Sequence, residues 1–491
     1  MSGKFHAHIP HSFRVFWRFA QARMDHSDSE RYILPSHPSL ISLDPLGICD
    51  EENPSHWAVI SSSIAQFRAS SSYDLFHLPN LIEDLSYSTH MNGNLDTRFL
   101  QRYIFQKFLD PQSQASKALL DHILDAALCL PDAFPSHGIP YLQESNPLLQ
   151  LSTSKIKCLL AHQILNTLQP SKGNTWGCTF ACWYSEPQPL EDAVSGYLSS
   201  VFTYFLPSEE ESSHVTYQYS SNPRENSLDE FAPWKICTTI PLFEYLIIDP
   251  VSTAMVPFPH PSIACTLVAS NKCPGFGAAC TQEELVTAAC PPLLPMGALF
   301  VSPPVPSDAA LLVFGNVLLT KWKGQGREAI SLGTSILSEQ TFLFIDAFEV
   351  DVSASSTAIV DLNPPILSRD LHKAHTGFLA LARLHIKDIA APLWGAGSFG
   401  GDPIVKALVL LMAAARAGVK LHLSVDDHRT YDIPGLPGTR KVIEILRDFK
   451  ESCGNMSIGD IMQRLAAFDG CDCCGGYIPS HIKEGTITDV T

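Results

Sequence analysis

The feature that most restricts the fold is an alternation of short apolar runs with amphipathic segments, which begins near residue 231. Short runs bounded by glycine, proline and polar residues predict strands, and segments with apolar residues three and four apart predict helices. The candidate strands are Leu242–Ile248, Ile263–Ala269, Ala298–Val301, Ala310–Phe314, Phe342–Ile345 and Leu421–Val425. The candidate helices are Gln282–Ala289, Ser368–Leu384, Pro403–Ala417, Arg440–Lys450 and Ile458–Ala467. Such alternation is typical of a three-layer α/β domain.

The first half of the chain has a helical pattern instead. Apolar residues between Leu95 and Phe108 recur at spacings of three and four, and 116–130 and 152–168 repeat this pattern. Residues 1–93 mix Ser, Pro and His with short apolar pieces, which indicates only a partly ordered lead-in. The acidic and serine-rich stretch 208–230 predicts a solvated insertion.

These patterns predict four regions along the chain. They are a poorly assigned N-terminal region (1–93), a helical accessory region with the acidic insertion (94–230), an α/β domain (231–475) and a C-terminal tail (476–491). The chain is long enough for a sizeable hydrophobic core.

Charge and composition exclude several classes of protein. The 33 basic and 50 acidic residues give a formal charge of -17, which disfavours a broad basic surface for nucleic acid. The most apolar helical stretch, 407–415, is far shorter than the roughly 20 residues that span a bilayer. The N-terminus lacks the apolar core of a secretory signal. We therefore expect a soluble intracellular protein, with no membrane association.

The cysteines and histidines do not predict a metal site. Most of the 14 cysteines are expected to be reduced core residues. Cys471, Cys473 and Cys474 are close in sequence, but no second pair of ligands stands at a recognised spacing. We expect neither a metal nor a cofactor.

The first segment with the pattern of a reactive site runs from Ser270 to Val286. A strand-like run ends in a loop that contains Gly275 and Gly277, and a helix then opens with Gln282, Glu283 and Glu284. Glycines let backbone N–H groups approach an anion, and adjacent glutamates point about 100° apart on a helix. One carboxyl group could then bind a sugar hydroxyl while the other transfers a proton. Alternatively, the glutamates only stabilise the helix dipole.

The second segment is Trp394–Asp402, in which four glycines precede a helix. Its backbone could form a cradle for phosphate. Alternatively, it is a tight strand-to-helix turn without a ligand. Asp402 and Pro403 are a favourable N-cap and first residue for the following helix.

In this order, the two segments resemble the catalytic macrodomain of the poly(ADP-ribose) glycohydrolases. Three further stretches agree with that family. They are Ser154–Ala161 (SKIKCLLA), Arg369–Phe378 (RDLHKAHTGF) and Met456–Ile461 (MSIGDI). The resemblance runs from about Asn94 to about Cys471. It implies a macrodomain-like core with an N-terminal helical accessory region, and it differs in the first loop, where Gly-Phe-Gly replaces three glycines.

The resemblance also implies roles for individual residues. Glu284 would be the catalytic acid, and Glu283 would bind hydroxyls of the ribose at the scissile bond, with Asn271 positioning the same sugar. Trp322 would stack on the adenine and Phe399 would pack against the distal ribose. The remaining residues implied to bind substrate, mainly at the diphosphate, are Gly275, Gly277, Gln282, Gly395, Gly397 and Gly400.

The implied activity is hydrolysis of ribose–ribose O-glycosidic bonds in poly(ADP-ribose), with release of ADP-ribose by glutamate acid/base catalysis. The implied partners are the polymer and ADP-ribosylated proteins, whose usual location implies the nucleus and/or the cytoplasm. We expect a monomer that binds no nucleic acid directly. The alternative is a macrodomain that binds ADP-ribose with weak catalysis or none.

Overall fold

The structure is a computed structural model that describes residues 30–466 apart from thirteen short gaps. The gaps are 91–94, 111–112, 171–177, 207–212, 225–228, 252–254, 257–262, 264, 303, 318, 335–338, 351–358 and 433–438, and the described range ends before 467–491. The cysteine cluster at 471–474 and the predicted tail 476–491 lie outside the described residues. None of the described helices is both long and apolar enough to cross a membrane.

The described residues form fourteen α-helices and fifteen strands. The helices are α1 His56–Ala69, α2 Leu78–His90, α3 Arg98–Lys107, α4 Gln114–Leu128, α5 Leu130–Ala133, α6 Thr153–Ile164, α7 Ala181–Tyr184, α8 Glu191–Phe205, α9 Ala232–Lys235, α10 Gln282–Ala289, α11 Pro364–Arg383, α12 Pro403–Ala417, α13 Val442–Cys453 and α14 Ile458–Ala466. The strands are β1 Arg31–Ile33, β2 Gly138–Pro140, β3 Leu148–Ser152, β4 His214–Ser221, β5 Leu246–Val251, β6 Met255–Val256, β7 Cys265–Ser270, β8 Ala309–Val317, β9 Thr320–Lys323, β10 Ile330–Thr334, β11 Glu339–Asp346, β12 Asp388–Ala391, β13 Lys420–Asp426, β14 Thr430–Asp432 and β15 Thr439–Lys441.

A large mixed sheet forms the centre of the molecule. Its strand order is β3-β4-β8-β11-β7-β12-β13-β5. The pairs from β11 to β5 are parallel, and the pairs from β3 to β11 are antiparallel. Because neighbouring strands from β11 to β5 are parallel, their carboxyl ends meet at one edge of the sheet, which is where open α/β sheets bind ligands.

Alternate residues of β11 face two separate hydrophobic cores. Phe342 and Phe344 belong to one core, and Leu343 and Ile345 belong to the other. This is the two-residue period of a strand that is buried on both faces. The first core includes the helices of the accessory region and α10, and the second includes α11 to α14. The molecule thus has the predicted three layers, with the sheet in the middle.

Most of the predicted elements are present. The helix predicted around residues 95–108 is α3, whose buried residues Phe99, Leu100, Tyr103 and Ile104 are those of the predicted face. The run 242–248 begins as a single 3-10 turn and becomes a strand only at Leu246.

The strand predicted at Ala298–Val301 is wrong. Met296–Phe300 forms a π-helical turn, and its residues lie in the first core. A short apolar run fits a buried strand and a buried helical turn equally well, so the pattern alone could not decide. Gly297 also packs so closely on the first glycine loop that an added Cβ would lie 2.0 Å from the carbonyl oxygen of Pro274.

Two further expectations for the first half need correction. The predicted insertion 208–230 contains β4, which pairs with β3 and β8 inside the central sheet. Val215 and Tyr217 alternate with more exposed residues there, a pattern that the surrounding serines obscure. The lead-in 1–93 contains α1 and α2, whose apolar residues join the first core.

Candidate active site

A cleft of about 380 Å³ lies at the carboxyl edge of the parallel strands. Val251 ends β5, Ala269 lies near the end of β7, and Pro392 follows β12. The cleft is lined further by Asn271 before the first glycine loop, by residues of the second glycine loop, by the start of α10 and by the segment after β9. The topology therefore joins the two sequence segments that were predicted to carry the chemistry.

Glu283 lines this cleft and is fixed by the backbone of the first glycine loop. Its Oε2 accepts a hydrogen bond from the N–H of Asn271 at 2.8 Å, and its Oε1 accepts one from the N–H of Gly275 at 3.1 Å. The residue is only 6% exposed. The loop thus holds a single orientation of this carboxyl group at the wall of the cleft.

Glu284 is not among the residues that line the cleft, and it takes part in the N-cap of α10. Its Oε2 accepts from the N–H of Thr281 at 3.0 Å, while its own N–H donates to Oγ1 of Thr281 at 3.4 Å. This reciprocal pair is a capping box. Its Oε1 is buried and has no hydrogen-bond partner among the described residues. Oε2 of Glu284 therefore caps the helix, whereas Oε1 accepts no hydrogen bond from the described residues.

Burial favours the protonated form of both carboxyl groups. Desolvation raises the pKa of Glu283 to about 8, against the opposing effect of the N–H groups of Asn271 and Gly275. Desolvation also raises the pKa of Glu284, while hydrogen bonds from the backbone at Thr281 oppose the shift. Raised carboxyl pKa values are suited to proton donation near neutral pH.

Gln282 and Asn271 connect the cleft to β7. The Oε1 of Gln282 accepts a hydrogen bond from the N–H of Ala269 at 2.9 Å, so this side chain links the start of α10 to the end of β7. The Oδ1 of Asn271 accepts from the N–H of Cys273 at 2.9 Å, which shapes the turn into the loop. Both residues line the cleft, as the resemblance implies.

The first glycine loop is attached to the accessory region. Phe276 is buried, and its ring packs against the rings of Phe180 and Trp183 at centroid distances of 5.4 and 5.1 Å. The Nε1 of Trp183 donates to the carbonyl oxygen of Gly277 at 2.8 Å. Neither Gly275 nor Gly277 lines the cleft, so their predicted contact with the diphosphate stays a prediction.

The second glycine loop presents its backbone to the cleft. Gly395, Gly397 and Phe399 line the cleft, and their predicted contacts with the substrate stay predictions. Gly395 has a φ of 72°, and a Cβ there would lie 2.5 Å from that of Ala347, so only glycine fits. Gly400 is not a lining residue, and its N–H donates to the carbonyl oxygen of Gly397 at 3.0 Å. Gly400 therefore closes the turn rather than facing the cleft.

A network of buried ion pairs packs against the second glycine loop. The Nζ of Lys406 on α12 forms ion pairs with Asp361, at 2.8 Å, and with Asp370 on α11. Arg369 pairs with Asp370 and with Asp346, the last residue of β11. All but the partly exposed Arg369 are nearly inaccessible to solvent. Such a network fixes the start of α12, because each charge would be strongly destabilising without its partners.

Trp322 does not reach the cleft. Its indole is fully buried, its Nε1 donates to the carbonyl oxygen of Leu285 at 2.7 Å, and its ring lies against Gly196 and Tyr197 of the accessory region. The structure thus leaves no face of this ring open for an adenine. The sequence pattern placed Trp322 close to Gly324 and Gln325, which line the cleft, but it could not show on which side of β9 the ring lies.

Sequence reasoning missed several residues of the cleft. Arg429, Asp426 and Ser424 enter from the end of β13, and Gln325 and Glu328 enter from the segment after β9. The available signal was positional: residues that follow the carboxyl end of a predicted parallel strand are candidates for a ligand site. Among the described residues, no group of three or more His, Cys, Asp or Glu side chains is arranged to hold a metal ion.

Two family models match this chain. The macrodomain-fold model of the poly(ADP-ribose) glycohydrolases matches residues 261–430, and the helical-domain model of the same family matches residues 111–219. Together they span more than half of the chain. The chain belongs to the poly(ADP-ribose) glycohydrolase family. The predicted family and the predicted fold class, a macrodomain-like core with a helical accessory region, are both confirmed.

Solved structures of a glycohydrolase of this family are also similar to the chain. Two structures of the poly(ADP-ribose) glycohydrolase from Deinococcus radiodurans in complex with ADP-ribose are each 15% identical to it and cover 42% and 41% of this chain and 93% of their own, with TM-scores of 0.26 and 0.27. A single-substitution mutant of that protein with ADP-ribose is 17% identical, at a TM-score of 0.27, and covers 41% of this chain and 93% of its own. Both glycine loops of the present chain lie within the matched macrodomain model.

Proposed function

We propose that this chain is a poly(ADP-ribose) glycohydrolase that hydrolyses ribose–ribose O-glycosidic bonds and releases ADP-ribose. Membership of the family supports this class of reaction. The observation that carries the proposal is the pair of buried carboxyl groups of Glu283 and Glu284 at the start of α10, beside a cleft that Glu283 and the second glycine loop line. Hydrolysis of a glycosidic bond needs a carboxyl group that holds a proton near neutral pH, and burial raises the pKa of both.

In this proposal, Glu283 binds the ribose at the scissile bond. Each of its oxygens already accepts one backbone N–H, from Asn271 and from Gly275. A carboxyl group has about four lone-pair sites, so further sites remain for the hydroxyls of the sugar. The rigid hold on this side chain supports a role in positioning, because its geometry would not change when the sugar enters.

Glu284 is the general acid in this proposal. It donates a proton to the leaving ribose oxygen while an oxocarbenium-like ribose forms, and the shortened polymer departs. The same carboxylate then deprotonates a water molecule that attacks the anomeric carbon, which restores the protonated Glu284 and releases ADP-ribose. The Oε1 atom of Glu284 supports this role, because no described residue forms a hydrogen bond with it. The second glutamate of Gln-Glu-Glu is also the position to which the family resemblance assigns the acid.

Conservative variants test the proposal and the division of roles. Purified wild type is expected to release ADP-ribose from poly(ADP-ribose), measured by chromatography of the soluble products. Glu284→Gln should lower the rate by about 10²- to 10⁴-fold, because the amide cannot donate the catalytic proton. Glu283→Gln should raise KM and also lower the rate. Glu444→Gln is a matched control, since Glu444 lies exposed in the first turn of α13 and should leave the rate unchanged.

Three outcomes would contradict parts of this proposal. If Glu284→Gln keeps its activity while Glu283→Gln loses it, Glu283 is the acid, in line with its place at the cleft wall. If neither variant loses activity, the carboxyl pair does not carry the reaction. If wild type binds the polymer but releases no ADP-ribose, the chain is an ADP-ribose-binding macrodomain rather than a hydrolase.

A further inference from the structure

Arg429 stands at the carboxyl edge of the sheet, just beyond the end of β13. Its N–H donates to the carbonyl oxygen of Asp426 at 3.1 Å, and its own carbonyl oxygen accepts from the N–H of Val442 at 3.0 Å. The backbone of this residue is therefore fixed between β13 and α13. Its side chain is half-buried and lines the cleft, on the side of the second glycine loop.

The guanidinium group of Arg429 is hydrogen-bonded to an uncharged group of the second glycine loop. Its Nη2 donates to the carbonyl oxygen of Ala396, which lies between Gly395 and Gly397. A guanidinium has five N–H donors, so this bond uses a minority of them. The group is thus anchored against the loop with donors left for a ligand.

The carboxylates around Arg429 are occupied by other partners. Asp402 accepts from two N–H groups of α12 with its Oδ1 and from the hydroxyl of Tyr431 with its Oδ2, at 2.5 Å. Asp426 accepts from the N–H of His428 at 2.8 Å. Among the residues that the structure describes, the ion pairs beneath the loop are formed by Lys406 and Arg369 instead. Asp426 and Asp402 are near enough to favour the charged form of Arg429, but among the described residues neither carboxylate forms a direct ion pair with it.

This charge is distinctive within the cleft. Glu283, Glu328 and Asp426 also line the cleft, and Arg429 is the one Lys or Arg side chain among its described lining residues. The whole chain has a formal charge of -17. An anionic ligand entering a cleft with several carboxyl groups needs a local positive charge, because Coulomb interactions are strong where water is partly excluded. Burial lowers the pKa of Arg429, but a guanidinium stays charged at neutral pH.

We propose that Arg429 is a substrate-binding residue that donates to the diphosphate oxygens of the ADP-ribose unit lying over the second glycine loop. This inference rests on the proposed function for the identity of the ligand. A guanidinium can bind phosphate oxygens in a bidentate manner, which fixes orientation as well as charge. The hydrogen bond from Arg429 to Ala396 holds the guanidinium group against the second glycine loop, which also carries Phe399. The diphosphate and the distal ribose of one ADP-ribose unit would therefore contact the same loop.

Calorimetric titration with ADP-ribose tests this role independently of turnover. Arg429→Gln should weaken binding by about 10- to 100-fold, the range for loss of a charge-assisted hydrogen bond. Arg429→Lys should recover only part of the affinity, because an ammonium lacks the planar fork. Lys441→Gln is the control, since it removes one positive charge from an exposed position of the adjacent hairpin and should bind like wild type. With polymer as substrate, Arg429→Gln should raise KM more than it lowers kcat.

The salt dependence of binding separates a direct contact from a structural one. If Arg429 touches the diphosphate, the affinity of wild type should fall more steeply with salt than that of Arg429→Gln. Unchanged affinity in Arg429→Gln, or lost affinity with the wild-type salt dependence, would overturn the inference. Thermal melts establish that each variant is folded, and Arg429→Lys carries the test if the Gln variant does not fold. Wild type that binds ADP-ribose but hydrolyses no polymer refutes the hydrolase proposal alone, whereas wild type that does not bind ADP-ribose overturns both.

Discussion

The two glycine loops share one sequence pattern, yet different forces hold them in place. Each follows a buried strand and leads into a helix, α10 or α12. The first loop is held by aromatic packing of Phe276 and by the bond from Trp183 to Gly277. The second is held by the buried ion pairs of Lys406.

This difference follows from the layer on which each loop lies. The first loop faces the accessory region, which supplies apolar rings, and it orients the carboxyl group of Glu283 through backbone N–H groups. The second loop lies on the other core and presents its own backbone to the cleft. The accessory region is therefore part of the site, because it holds the loop that orients a candidate catalytic group.

The largest effect on stability is expected from breaking the charged support of the second loop. Lys406→Met should lower the free energy of unfolding by about 3–5 kcal/mol, because it leaves Asp361 buried without a cation and leaves Asp370 with Arg369 alone. Urea denaturation measures this change, and Lys420→Met at an exposed position of β13 is the control. Adding Asp361→Asn should recover part of the loss, because Asp361 is the carboxylate that the first substitution leaves unpaired. A loss below about 1 kcal/mol in the single variant would show that the network does not support the loop.

A somewhat smaller effect is expected from titration of Glu283 in the first loop. Its pKa is raised from 4.5 to about 8 in the folded chain. Between these values the folded state keeps a proton that the unfolded state has lost, so wild-type stability should fall as pH rises through this window. Relative to Glu283→Gln, the loss should be on the order of 3 kcal/mol.

Denaturation of wild type and Glu283→Gln at several pH values from 4.5 to 8 measures this difference. The control is Glu444→Gln, which is exposed and should track wild type at each pH. If the difference in free energy of unfolding between wild type and Glu283→Gln is the same at every pH, the pKa of Glu283 is not strongly raised.

The smallest effect concerns the bond that joins the accessory region to the first loop. Trp183→Phe keeps an aromatic ring but leaves the carbonyl oxygen of Gly277 without its donor, which should reduce stability by about 1–3 kcal/mol. Because the loop orients Glu283, turnover of polymer should fall more than the affinity for ADP-ribose does. Trp234→Phe provides a control on the opposite core, away from the cleft. Equal losses of turnover in the two variants would show that the bond to Gly277 has no special role.

Much of the site was predictable because its parts are local. Asp402 caps the N–H groups of Ile404 and Val405, and Thr281 forms a capping box with Glu284, so both helix starts depend on neighbours two or three residues away. The strands that cross the middle of the sheet carried long apolar runs that identified them. Strand β4 and the helical turn at Met296–Phe300 were not predictable in this way, because their surroundings decide their form.

Contacts between distant residues decided what the pattern left open. The sequence by itself determined two glycine loops, two capped helices and a pair of adjacent glutamates, since these depend on backbone geometry and short-range hydrogen bonds. Only the tertiary structure decided that Glu283 lines the cleft while Glu284 joins the cap, that Trp322 is a core residue and that Arg429 reaches the second loop. The bond from Arg429 to Ala396 spans 33 residues, and that from Trp183 to Gly277 spans 94. The reason is physical: local bonds follow from spacing along the chain, whereas burial and charge pairing depend on which elements pack together.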